Sequence, residues 1–140
     1  DNYDLKHSHV LPALIKKFHH AKINNLSTVE VWGSGNPRRE FLHVDDLADA
    51  CIFLMKEYHS SEIINVGTGQ DLSIKDLALL ISEVVGYNGE IFYNADKPEG
   101  TPRKLLDVSR LNSLGWAHKI DLQSGIKSVY EEYAKSYIAQ

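Results

Sequence analysis

One cysteine, Cys51, stands among 140 residues, which excludes an internal disulfide and suits a reducing compartment. No apolar run approaches the ~20 residues that a membrane-spanning helix needs. There is no basic excess either: the formal net charge is −4, which argues against nucleic acid as the main partner. The dinucleotide fingerprint G-x-G-x-x-G is missing. Gly33-Ser34-Gly35 and Gly67-Thr68-Gly69 each begin it, but Arg38 and Leu72 occupy the place of the third glycine. His7-Ser8-His9 and His19-His20 lack the Cys or carboxylate companions of a metal site, so no metal is expected. The chain opens Asp1-Asn2-Tyr3 with no initiator Met and no signal-like apolar region, which reads as a processed protein or a piece of a longer one.

What is present suffices for a core. The apolar fraction is 43%, and the length suits one domain or part of a larger one. The most informative stretch runs from Val31 to Ala50. Thr28 to Trp32 reads as a strand, with β-branched Val29 and Val31 and a Trp suited to a half-buried pleated surface. Gly33, Gly35, Asn36 and Pro37 then reverse the chain. Arg38-Arg39 follow, the chain extends again through Val44, and a helix opens at Asp45-Asp46. Two arginines beside an indole suit a planar anion, since guanidinium forks grip phosphate oxygens in pairs. The alternative is a hairpin whose arginines pair with Asp45, Asp46 or Asp49.

Elsewhere the spacing predicts an alternation of helices and strands. Val10, Leu11, Leu14, Ile15, Phe18 and Ala21 form one helical stripe, with Ser8 as N-cap and Pro12 in the first turn. Lys16, Lys17, His19 and His20 read as its solvated face, while His9 projects beyond its start. Leu47, Ala50, Cys51, Leu54 and Met55 predict a second inward stripe, with Cys51 a small core residue. Ile63-Ile64-Asn65-Val66 reads as a strand covered on both faces. Ser73-Ile74-Lys75-Asp76 is a variant capping box opening a helix that stops at Gly86. Glu90 to Tyr93 is a strand, and 94–101 a loop. Ser109 caps a short helix ending at Gly115-Trp116, and Leu122, Ile126, Val129, Tyr130, Tyr133 and Tyr137 share the stripe of a last one. The class is α/β. Tyr93-Asn94-Ala95-Asp96-Lys97 matches Tyr-x-x-x-Lys in form only, because it starts on a strand and ends in a loop.

Four stretches carry a resemblance: Ser8-His9-Val10-Leu11-Pro12-Ala13-Leu14-Ile15, Val31 to Phe41, Ile64-Asn65-Val66-Gly67-Thr68-Gly69, and Lys97-Pro98-Glu99-Gly100-Thr101-Pro102-Arg103-Lys104-Leu105-Leu106-Asp107. In order and spacing they resemble the GDP-L-fucose synthase family (GDP-4-keto-6-deoxymannose 3,5-epimerase/4-reductases), within the extended short-chain dehydrogenase/reductases. The second and third stretches are shared across nucleotide-sugar epimerases and dehydratases; the first and last are much narrower. Residues 1–140 thereby resemble the family's C-terminal, sugar-nucleotide-binding portion, with the N-terminal Rossmann half, its glycines and its Tyr-x-x-x-Lys helix absent.

The resemblance implies 3,5-epimerisation followed by reduction at C4. His9 would be the acid/base partner of an upstream Cys and would lie by the nicotinamide. Lys17, Trp32, Arg39 and Lys104 would contact substrate, with Arg103 a neighbour of Lys104 and Arg38 structural. Lys17 stands where many members carry Arg, which reduces a fork to a point charge. On this resemblance the partners are a GDP-sugar and a second copy in a homodimer, the cofactor is NADP(H) held mainly by the N-terminal half, and the compartment is the cytoplasm. The 140 residues alone are expected to lack reductase activity. Against this stand a UDP-sugar epimerase or dehydratase and a non-catalytic diphosphate-binding module. Trp32 as a core residue, and Arg103 or Lys104 paired with Asp107, are the structural alternatives.

Overall fold

The computed structural model describes Tyr3, Asp4 and residues 8–138. His7 of the His7-Ser8-His9 pair lies outside these, as does the side chain of Tyr137. The elements are α1 (Val10–Ile23), β1 (Thr28–Trp32), β2 (Arg38–Glu40), α2 (Val44–Glu57), β3 (Asp71–Ser73), α3 (Ile74–Val85), β4 (Glu90–Asn94), β5 (Arg103–Lys104), α4 (Ser109–Ser113) and α5 (Leu122–Ile138). This is the expected mixed α/β chain, with parallel strand pairs. No described helix is long and apolar enough to cross a membrane.

The main core forms where alternating strand residues meet helix stripes. Val29 and Val31 point inward from β1, which runs parallel to β4 from Thr28 opposite Glu90 to Trp32 opposite Asn94. Against them pack Leu14, Ile15 and Phe18 of α1, Leu77, Ile81 and Val85 of α3, and Ile126 and Tyr133 of α5. The capping box of α3 forms as its residues dictate. Ser73 Oγ accepts the Asp76 amide at 3.0 Å, and Gly86 closes the helix at φ 73°, where a Cβ would be strained.

A second sheet of very short strands, in the order β3-β2-β5, hangs on ion pairs and a carboxylate hub. Asp71, its side chain 4% exposed, accepts Arg38 Nε at 2.9 Å and Arg103 Nε at 2.5 Å. Both guanidinium groups hold its carboxyl below the usual range, Arg103 foremost. The arginines therefore do not pair with the α2 carboxylates. Asp46, buried, accepts the amides of Lys119 and Ile120, and Asp49 accepts the Trp116 indole N–H at 2.9 Å.

Several expectations are corrected. His9, not Ser8, is the N-cap residue of α1, and it makes no side-chain capping bond. His19 is buried rather than solvated: Tyr130 and Tyr133 of α5 cover that flank, with the Tyr130 hydroxyl 3.1 Å from Nδ1. Cys51 is exposed, and the α2 stripe faces outward, with Leu47 and Met55 43% and 77% exposed. Only Ala50, with Leu54 and Phe53 beside it, joins a small cluster around Leu111 and Trp116. Ile63–Val66 forms no strand, since no described residue offers it a ladder, and Ile63 is 89% exposed. Ser109 is the first residue of α4 instead of its cap; Asp107 accepts its amide at 2.9 Å.

The buried His19 makes stability depend on pH. Burial first, then Lys22 and His20, pushes its pKa below the ordinary imidazole value. The unfolded chain takes up the proton below about pH 6.5, while the folded chain resists it, so stability present above that pH is lost on acidification. The urea midpoint should fall between pH 7.5 and 5.5, and His19→Gln should flatten that slope. An unaltered slope in the variant would place the pH dependence elsewhere.

Candidate functional site

Four local structures bring the site together. β1 ends at Trp32, whose side of the strand faces outward, so the indole is presented rather than buried, at 45% exposure. The Gly33–Pro37 reversal then folds back beneath it, with Gly33 and Gly35 at φ 80° and 78°. The first two turns of α1 supply Val10, Ala13, Leu14 and Lys17, and the loop after β4 supplies Pro98, Glu99 and Gly100. Between them lies a cleft of about 250 Å³ that Arg39 also lines.

Lys17 is half-buried. Its Nζ donates to the Glu30 carbonyl at 2.9 Å and lies 5.3 Å from the Trp32 ring centroid, within cation–π range. Burial pushes its pKa below that of an ordinary lysine, against the pull of Glu30. Glu30 itself accepts Asn94 Nδ2 at 2.6 Å and the Trp32 indole N–H at 3.2 Å, fixing the ring edge. The Asn94 bond is the main reason its carboxyl lies below the usual range.

Arg39 lies differently from its neighbour. Strand alternation and the shared reach of Arg38 and Arg103 to Asp71 put those two on one face of the small sheet. Arg39 and Lys104, the next pair in register, fall on the other. Arg39 donates Nη1 to the Arg38 carbonyl at 2.7 Å and has no carboxylate partner among the described residues. A Cβ at position 100 would lie 3.0 Å from its Nη2, so Gly100 leaves that guanidinium room.

The structure thus brings Lys17, Trp32 and Arg39 into one cleft. Lys104 is exposed beside Arg39 without lining the cleft, and neither it nor Arg103 pairs with Asp107. His9 is exposed at the start of α1, between the cleft-lining Ser8 and Val10, and does not itself line the cleft. Sequence reasoning missed Ser8 and Glu99, which line the cleft, and Lys97, which does not line it but brings its Nζ to 5.6 Å from the Trp32 ring centroid. The Ser8 hydroxyl is buried with no hydrogen-bond partner among the described residues, and no spacing signals that.

The two glycine turns are already filled. Glu99 Oε2 accepts the Ser34 amide at 2.7 Å and its hydroxyl at 2.6 Å, and Glu40 Oε1 accepts the Thr68 and Gly69 amides at 2.5 and 2.7 Å. Carboxylates occupy the amide cradles a pyrophosphate would need. Neither glycine turn therefore presents free amides to a pyrophosphate. What the cleft can hold is an anion attached to a ring: a lysine and an arginine for the charge, an indole for the face.

The chain is similar to known proteins along nearly its whole length. Residues 1–67 match the NAD dependent epimerase/dehydratase family. Over 97% of its length the chain is 52% identical to GDP-L-fucose synthase 1 of Arabidopsis thaliana. It superposes on a GDP-6-OMe-4-keto-L-xylo-heptose reductase of C. jejuni with TM-score 0.87 at 38% identity, covering 97% of this chain and 50% of that one. On a Naegleria fowleri GDP-L-fucose synthetase bound to NADP the TM-score is 0.91 at 26% identity, covering 99% of this chain and 44% of that one. The chain spans about 42% of the length of the Arabidopsis relative.

Proposed function

We propose that this chain, a relative of the GDP-L-fucose synthases and of the NAD dependent epimerase/dehydratase family, is the sugar-nucleotide-binding portion of an enzyme that converts GDP-4-keto-6-deoxymannose to GDP-L-fucose. The observation that carries this reading is the convergence of Lys17, Trp32 and Arg39 on one cleft. Lys17 and Arg39 neutralise a diphosphate of charge about −2, and the indole takes the face of a ring. Lys104, on the Arg39 side of the small sheet, extends the positive edge towards solvent.

The chemistry the substrate needs from this chain is a proton. In a 4-keto sugar the hydrogens on C3 and C5 are acidified by the carbonyl, and a positioned group must remove or return them. His9, at the start of α1 beside the cleft, is assigned that role, because imidazole exchanges a proton near neutral pH. NADP(H) supplies the hydride for C4 when bound. Its cradle is assigned to residues outside this chain, so the 140 residues alone should show no reductase activity. The reading extends to a cytoplasmic homodimer, the exposed thiol of Cys51 being suited to a reducing compartment.

Calorimetric titration with GDP and UDP tests the substrate class. GDP should bind more tightly; a preference for UDP would transfer the chain to the UDP-sugar epimerases. In the enzyme containing this chain, His9→Asn should abolish uptake of solvent deuterium into product while nucleotide affinity stays unchanged. Undiminished uptake would remove His9 from the proton transfer. The C. jejuni relative favours a second reading, in which the same cleft serves the 4-keto reduction of another GDP-sugar.

A further inference from the structure

We infer that Lys97 is a further cation of this anion site, meeting the same diphosphate as Lys17 beside the Trp32 indole. The inference rests on the sugar-nucleotide reading and adds a residue that neither sequence reasoning nor the resemblance assigns.

Charge is the first reason. Around the indole and the cleft, Lys17 and Arg39 face the carboxylates of Glu30 and Glu99. Those four groups cancel. Lys97 adds a unit of positive charge beside them, which a dianionic ligand favours. Its Nζ lies 5.6 Å from the Trp32 centroid, against 5.3 Å for Lys17.

Placement is the second. Two ammonium groups over one indole repel each other, and Lys97 is among the causes that depress the Lys17 pKa. Such a pair is held together by structure or by a bridging anion. Lys97 has no carboxylate ion pair among the described residues, and the Glu30 oxygens are engaged by Asn94 and Trp32. The loop supplies the structure. The Lys97 amide donates to the Asn94 carbonyl at 3.1 Å, and two residues on Glu99 is tied to Ser34. Lys97 is thus presented over the indole from a segment anchored on both sides. Phosphate oxygens between the two ammonium groups would turn their repulsion into two attractions.

The test is calorimetric titration of the wild type, Lys97→Gln and Lys97→Arg with GDP and with guanosine, at two salt concentrations. GDP affinity of Lys97→Gln should fall by about tenfold with a shallower salt dependence, Lys97→Arg should stay within about threefold, and guanosine should bind all three alike. Circular dichroism melts confirm that the variants fold. Wild-type GDP affinity in Lys97→Gln would overturn the assignment while leaving the sugar-nucleotide reading intact. So would an equal loss for guanosine, which would make Lys97 a prop for the indole alone. Failure of the wild type to bind GDP would overturn both readings together.

Discussion

Arg39→Ala should weaken GDP binding by about 10- to 100-fold, whereas Arg38→Ala, one residue away and identical in charge change, should leave it nearly unaltered. The contrast follows from where the two guanidinium groups are spent. Arg38 is bound to Asp71, which already joins it to Arg103. Arg39 keeps most of its donors for the cleft, giving up Nη1 to a backbone carbonyl. A hydrogen bond to a charged group is worth roughly 1.5–3 kcal/mol, and every ~1.4 kcal/mol is tenfold in affinity. Arg39→Lys should recover only part of the loss, because an ammonium group cannot present a planar fork. Titration of the three variants with GDP decides the matter. Equal losses for the two alanine variants would reduce the site to bulk positive charge.

The second large effect is on stability. Glu40→Ala should cost about 3 kcal/mol and lower the melting temperature by roughly 10 °C, measured by urea and thermal unfolding. One carboxylate holds three segments. Oε1 accepts the Thr68 and Gly69 amides, and Oε2 accepts the Leu106 amide at 2.9 Å. Removing it strands three backbone donors, each costing about 1–3 kcal/mol if left unpaired, with water offsetting part of that sum. Glu40→Gln keeps one acceptor oxygen for the glycine turn and sets an amide N–H₂ against the Leu106 N–H, so an intermediate loss is expected. The site should suffer too, since this hub fixes where β5, and with it Lys104, lies beside Arg39. A melting temperature within about 2 °C of wild type would show that the 67–69 turn is held by other contacts.

Much of this fold was legible because its signals are local. The α1 stripe, the Val29/Val31 alternation of β1, the capping box at Ser73 and the Gly86 stop are each written in a few adjacent residues, and each forms. Periodicity groups residues on one face of a helix without naming what that face meets. It therefore misplaced α2, whose stripe looks outward, and His19, which α5 reaches across 111 residues of chain. Ile63–Val66 has a strand's composition, but a strand exists only beside another. The site divides in the same way. Arg39 and Trp32 stand out beside a glycine turn, and the resemblance singled out Lys17. That Arg38 is consumed by Asp71, 33 residues away, and that Lys97 returns to the indole, are facts of tertiary structure.

The most direct measurement is an amide and indole NMR spectrum of the 140-residue chain titrated with GDP. The two tryptophans are internal controls: Trp32 is exposed in the cleft, whereas Trp116 is buried with its N–H on Asp49. The Trp32 indole signal and the amides of the α1 start should shift together and saturate, with the Trp116 signal still. A Trp32 signal unmoved at millimolar GDP, or one that moves no more than that of Trp116, would contradict a diphosphate held between Lys17 and Arg39.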